Sequence, residues 1–302
     1  MSFSNQFKPK IAVVVVTFNR LNELVKTIAS IREQGFADND IIVINNNSKD
    51  GTKELLDSNP FNKVKAIHLS DNIASAGGFA RGMEEAFDQG YDWVWLFNDD
   101  SRPVSGTFDS FVGFLENEQA LNLGLLKIAN KNEKNQAVLL YWNGVRKPVY
   151  TNLSNELVKT DLITFDGCLI SRKLMGQIGF CDPLYFMGTY EFDYCLKAKD
   201  AGFDIYTLPN GLIEDGKLGG IGGTPPWRQY YNTRNHLWLA LNRKSLYILR
   251  AWFTRELKYT VAIILYSDRK IERLKFKIRA VRDAILNRRG KRYNPEIYSK
   301  IQ

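Results

Sequence analysis

The sequence predicts an α/β fold built on a parallel sheet with helices on both faces. Three observations predict it. Strand, polar loop and helix recur four times within about the first hundred residues. The strand candidates are continuous apolar, β-branched runs, as strands covered on both faces require. Each run also empties into polar residues at its carboxyl end, the edge where open α/β sheets bind ligands.

Ile11 to Val16 is the first such run, followed by Thr17-Phe18-Asn19-Arg20 and an amphipathic stretch from Leu21 to Gln34. Ile41 to Ile44 is the second, ending in the polar turn Asn45 to Thr52 that could cap a helix from Lys53. Val64 to Leu69 is the third, and Asn72 to Gly82 reads as a Gly-bearing connection into a helix over Met83 to Gln89. Trp93 to Phe97 is the fourth, and it runs directly into Asn98-Asp99-Asp100. Adjacent carboxylates repel unless a cation sits beside them. A hard divalent ion sharing its sphere with substrate phosphates answers that need, and a solvated Asn-Asp-Asp turn is the plain alternative.

Beyond these repeats the sequence predicts a helix over Phe108 to Glu118, then strands over Leu123 to Ile128, Ala137 to Trp142 and Asp161 to Ile170. A short helix over Leu174 to Ile178, a helix over Tyr190 to Ala201 and a strand over Phe203 to Leu208 follow. Asn210 to Gly223 carries six glycines and reads as a flap or a plain surface loop.

Composition narrows the class. The chain has 302 residues, 44% hydrophobic, enough for one large domain or two small ones. Three cysteines without CxxC spacing argue against a zinc site or a disulfide framework and for a reducing, cytoplasmic setting. Two histidines exclude a multi-histidine metal site, and His68, in a strand-like run, reads as structural. No apolar run of membrane-spanning length occurs. GxGxxG and GxxxxGK[ST] are both absent, so neither a dinucleotide dehydrogenase nor a P-loop enzyme has its fingerprint. The net charge of +8 is concentrated: Arg243 to Arg292 holds sixteen Lys and Arg against four acids.

Five segments carry a family likeness in order and spacing: VVVVTFNR (13–20), VINNNSKDGT (43–52), DNIASAGGFARGM (71–83), WVWLFNDD (93–100) and YEFDYCLKAKDAGFDI (190–205). Together the sequence resembles the inverting family 2 glycosyltransferases. Within them it looks most like bacterial galactofuranosyltransferases, then rhamnosyltransferases. The resemblance implies the GT-A fold, a Rossmann-like mixed sheet with helices on both faces, in a catalytic domain over residues 1–236. A basic helical C-terminal region over 237–302 would follow it.

The resemblance also implies a nucleotide-sugar donor, with Thr17, Asn19, Arg20, Asn45 and Asn47 around base and ribose. Asn72 and Gly78 would let the backbone approach that donor. Asn98-Asp99-Asp100 stands where the family has Asp-x-Asp, which makes Asp100 the expected ligand of Mg²⁺ or Mn²⁺ and Asp99 a ribose or sugar contact. Glu191 occupies the position of the general base, with Asp193 in reserve, although a helix N-terminal acid can also serve only the helix dipole. The family's metal-binding His is missing, and Glu214 or Asp215 could replace it. Arg228 and Arg234 could reach the diphosphate, and Trp227 an acceptor sugar, or the local aromatics could seat the C-terminal helices.

Leu237 to Leu286 reads as two or three helices with apolar residues on one side and cations on the other. Such a tail fits peripheral contact with an anionic membrane, where a lipid-linked glycan acceptor would reside, or it caps the enzyme. The expected function is transfer of galactofuranose from UDP-galactofuranose to a glycan hydroxyl in surface polysaccharide synthesis, with dTDP-rhamnose as the alternative donor. A binding protein that grips nucleic acid is the reading from another class, but no nucleic-acid motif is present and none is expected as a partner.

Overall fold

A computed structural model describes residues 9–117, 122–130, 137–142, 145–150, 158–214 and 225–293. The predicted repeats form β1 (Ile11–Thr17), α1 (Leu21–Glu33), β2 (Ile41–Asn45), α2 (Thr52–Leu56), β3 (Lys65–His68), α3 (Ala74–Asp88) and β4 (Trp93–Asn98). Their strands are parallel in the order β3-β2-β1-β4. Next come β5 (Arg102–Pro103), α4 (Thr107–Asn117), β6 (Leu123–Asn130), β7 (Ala137–Trp142), β8 (Val145–Tyr150) and β9 (Val158–Lys159). They are followed by β10 (Cys168–Ser171), α5 (Arg172–Ile178), α6 (Tyr190–Asp200) and β11 (Asp204–Glu214).

β10 runs antiparallel between β4 and β6, and β11 lies parallel to β6. β9 and β5 both run antiparallel to β11, while β7 and β8 pair separately. The main sheet is therefore mixed and nine-stranded. This topology brings the carboxyl ends of β1, β2, β3 and β4 to the same edge as the amino end of β10.

Alternation through β1 explains why its apolar run is unbroken. Ala12, Val14 and Val16 enter one core with α3 and α6 residues such as Phe79 and Tyr194. Ile11, Val13 and Val15 enter the other with Leu24 and Ile28 of α1 and Phe111 of α4. Each residue of the strand is thus buried on one face or the other.

Three helices close the chain: α7 (Pro226–Asn242), α8 (Leu246–Tyr266) and α9 (Lys270–Ile285). α7 passes without a break through the expected boundary at 236/237, so the helical region begins at Pro226, whose missing N–H suits a helix start. Two other expectations change. α3 begins at Ala74, which places Gly77 and Gly78 inside a helix. The strand expected from Asp161 contracts to Cys168–Ser171, because Gly167 adopts φ +71° and turns the chain just before it. β11 takes up residues 210–214 of the expected flap, and the remainder of that segment lies outside the described residues.

Candidate active site

The edge is assembled from turns that hold one another. Asn19, at φ 54°, accepts the Lys49 N–H on its side-chain oxygen at 2.7 Å, and its own N–H donates to Ser48 Oγ at 3.0 Å. Asp50 accepts the Leu21 N–H at 2.8 Å, so the turn after β2 caps the helix after β1. Asn47, at φ 62°, donates to the Ser70 carbonyl at 3.1 Å and ties in the turn after β3.

Asn45 is buried, accepting the Ser48 N–H at 2.9 Å and donating to His68 Nδ1 at 3.1 Å. Its polar atoms shape the turn, and the other ring nitrogen of His68 lies 3.2 Å from Asp57 Oδ1. Asn72 is also buried and accepts the Ala74 N–H at 2.8 Å at the start of α3.

Gly78 does something other than admit a ligand. A Cβ there would lie 2.6 Å from Val16 Cγ1, and one at Gly82 would lie 2.3 Å from Val14 Cγ1. These glycines let α3 lie close against β1, which corrects the expected approach of the Gly78 backbone to a donor.

The acidic turn is satisfied from far along the chain. Asp99 Oδ2 accepts the Thr17 hydroxyl at 2.8 Å and the Phe18 N–H at 3.2 Å, while Oδ1 faces Arg20 Nη1 at 3.4 Å. The same nitrogen of Arg20 also pairs with Asp100. Burial pushes the Asp99 carboxyl up to about 6, against the pull of Arg20 and Thr17 and with the repulsion of Asp100 behind it. Arg102, the nearest cation in sequence, pairs instead with Glu23. The α1 residue Thr27 completes the turn by donating to the Asp99 carbonyl at 2.8 Å.

Asp166 is the residue that sequence reasoning missed. Its Oδ1 accepts the Asn98 N–H at 2.9 Å and its Oδ2 the Ser101 hydroxyl, while buried Lys127 donates to its carbonyl. The available signal was the dipeptide Asp166-Gly167, a turn marker inside a strand-like run. One residue earlier, the Phe165 N–H donates to Glu191 Oε1 at 3.1 Å. Glu191 and the acidic turn thus share one short bridge of chain.

Asp193 does not share that place. Two residues on an α-helix lie about 200° apart, and Asp193 is the one turned inward, buried and paired with Lys197 at 2.8 Å. This corrects its assignment as a reserve base.

The approach to Glu191 is a strained loop. Phe186 and Thr189 hold φ of 66° and 71°, conformations that persist only where surroundings over-determine them. Asn235 supplies that constraint: its amide lies 2.9, 2.7 and 3.2 Å from the carbonyl oxygens of Tyr185, Met187 and Gly188. Arg234, 1% exposed, donates to the carbonyls of Tyr185 and Gly290 at 3.1 and 2.8 Å. The guanidinium is therefore a clamp inside the fold and not a diphosphate contact. Trp227, Tyr230 and Tyr231 are buried with Phe186 and Phe276, seating the C-terminal helices. Arg228 is exposed on the first turn of α7.

A divalent cation has one well-placed oxygen donor here. Both oxygens of Asp99 are engaged, whereas Asp100 is part-exposed at the turn. Among the described residues no group of three or more His, Cys, Asp or Glu could hold a metal. A single carboxylate completed by water and diphosphate suits Mg²⁺ or Mn²⁺, and these residues fit such a shared site provided Arg20 yields Asp100. Glu214 ends β11 in register with Arg102, and Asp215 lies outside the described residues.

Residues 12–179 match the family model described as glycosyl transferase family 2. The chain belongs to that family. This glycosyltransferase is an enzyme of the nucleotide-sugar class and has the mixed GT-A sheet with C-terminal helices. It is 25% identical to the dTDP-rhamnosyl transferase RfbF of Shigella flexneri over 94% of this chain and 98% of the relative. It is 28% identical to the galactofuranosyltransferase GlfT1 of Mycolicibacterium smegmatis over 59% of this chain and 61% of the relative. The crystal structure of GalNAc-T7 with UDP, GalNAc and Mn²⁺ superposes with a TM-score of 0.64 at 13% identity, over 94% of this chain and 57% of that one.

Proposed function

We propose that this glycosyltransferase moves a hexosyl group, with inversion, from a nucleoside-diphosphate sugar to a hydroxyl of a glycan or lipid-linked glycan in surface polysaccharide synthesis. The observation that carries the reading is the bridge 165–166, which holds Glu191 on one side and the turn of Asp99 and Asp100 on the other. In the reaction Glu191 takes the proton of the acceptor hydroxyl as its oxygen attacks the anomeric carbon, and the bond from that carbon to the diphosphate breaks. The turns of Asn19, Asn45 and Asn47 line the edge for base and ribose. Arg20, half-exposed beside Asp99 and Asp100, is the protein's own cation near the departing diphosphate. A Mg²⁺ or Mn²⁺ held by Asp100 would stabilise the leaving charge when bound.

The proposed donor is UDP-galactofuranose, on the segments 71–83 and 93–100 and on the similarity to GlfT1. A specific observation favours dTDP-rhamnose as a second reading: the similarity to RfbF extends over almost the whole of both chains. A panel of UDP-galactofuranose, UDP-galactose and dTDP-rhamnose, scored by nucleoside diphosphate released with and without acceptor and divalent cation, separates the two. Acceptor-dependent release from none of these would remove the donor assignment.

A further inference from the structure

We propose that the outer face of the α8–α9 hairpin is a docking surface for an anionic lipid bilayer. α8 is apolar on two sides, one packed and one exposed. One side buries Ile248 and Ile263, and meets α7 where Thr233 donates to Glu256 at 3.0 Å and Trp252 Nε1 donates to the Thr233 carbonyl at 3.1 Å. The other side presents Leu246, Phe253, Leu257 and Ile264 at helical spacing, all exposed, with Phe253 at 62%.

α9 repeats the arrangement. Phe276, Ala280 and Ala284 are buried, while Ile271, Ile278 and Ile285, seven apart, are 71, 70 and 65% exposed. Lys275 and Arg282 fall between those isoleucines on the same stripe.

The two stripes look the same way. The helices meet where Lys277 of α9 donates to the Glu256 carbonyl and to Thr260 of α8, at 2.9 and 2.6 Å. At about 100° per residue, each exposed stripe lies roughly a quarter turn past that contact, on the side away from α7. The hairpin therefore offers one broad apolar face.

Charge selects the occupant. All four acids between 243 and 292 are taken up in ion pairs: Glu256 with Lys277 and Arg255, Asp268 with Arg273, Glu272 with Arg269, and Asp283 with Arg282. Arg250, Lys258, Lys275 and Arg279 remain exposed on or beside the stripes. A second copy on this face would set like charges together, whereas an anionic headgroup layer complements them and accepts the apolar side chains beneath. No helix of the described residues is long and apolar enough to cross a membrane, so the hairpin lies along the surface.

α7, against which the hairpin packs, also carries Arg234 and Asn235, which clamp the loop before Glu191. Docking would thus hold the cleft at a fixed height above the lipid. That the cleft at this height meets a lipid-linked acceptor is the one point that rests on the proposed transfer reaction.

Co-sedimentation of the full chain with vesicles tests the proposal without donor or acceptor. Binding to phosphatidylcholine mixed with phosphatidylglycerol should exceed binding to phosphatidylcholine alone by at least about tenfold at low salt and fall as salt rises. Two separate variants, Phe253→Ser with Ile278→Ser and Lys258→Glu with Lys275→Glu, should each lose about tenfold or more while keeping the wild-type thermal midpoint and nucleotide release on a soluble acceptor. Equal binding to both vesicles, or wild-type binding by both variants, overturns it. A concentration-dependent dimer abolished by the same substitutions, without vesicle binding, would assign the face to a second copy instead.

Discussion

The backbone N–H of Phe165 donates to the carboxylate of Glu191 at 3.1 Å, and the next residue, Asp166, accepts the Asn98 N–H at 2.9 Å. Glu191 and the turn from Asn98 to Ser101 are thereby held by two consecutive residues. The first prediction follows from this geometry.

Glu191→Gln keeps an oxygen for the Phe165 N–H but cannot take a proton. Transfer should fall by at least about 10²-fold, while calorimetric donor binding stays within about twofold of wild type. Turnover close to wild type would remove Glu191 from the role of base.

If Asp100 holds a divalent cation as proposed, Arg20, which pairs with the same carboxylate, competes with it. Arg20→Ala should lower the Mn²⁺ concentration for half-maximal activity by up to about fivefold, the range expected for a part-exposed ion pair. Asp100→Ala should abolish the cation dependence. A cation midpoint unmoved by Arg20→Ala would show that the two do not share the site.

Asp99 gives a pH signature. With its carboxyl raised from the ordinary 3.8 to about 6, the folded chain holds a proton in that window which the unfolded chain has released. The stability this contributes is fully present below 3.8 and is lost as pH rises through 6. Relative to Asp99→Asn, urea denaturation of the wild type should therefore show stability falling between those values, with a ceiling of about 3 kcal/mol. A pH-independent difference between the two proteins would refute the burial argument.

Gly82→Ala puts a methyl group 2.3 Å from Val14 Cγ1. The overpacking cost of about 1–3 kcal/mol should outweigh the gain in helix propensity of about 1 kcal/mol. Adding Val14→Ala should relieve the clash, so the double variant would lose less than the sum of the two single losses. Chemical denaturation reads all three, and strictly additive losses would mean that α3 does not press on β1 there.

Much of the architecture was legible in the chain because it rests on local chemistry. The unbroken runs Ile11–Val16 and Trp93–Phe97 could only be central strands, and their polar exits could only share an edge if those strands were parallel. Glu191 and Asp100 are singled out only by the sequence resemblance; the structure places Glu191 in the first turn of α6 and Asp100 just past the end of β4. The glycines of α3 misled, because a glycine that lets a helix lie on a strand has the same local signature as one in a loop.

The sequence by itself determined the repeating strand-loop-helix order, the buried strands and the acidic turn at the end of β4, since these depend on side-chain period and turn chemistry within a few residues. Only the tertiary structure decided that Arg20 rather than Arg102 answers Asp99 and Asp100, that Phe165 and Asp166 bridge Glu191 to the turn after β4, and that Arg234 and Asn235 brace a strained loop. Those pairings are made between elements dozens of residues apart. No local pattern encodes them, because they arise only when the mixed sheet and its helices bring distant backbone carbonyls and carboxylates within hydrogen-bond reach.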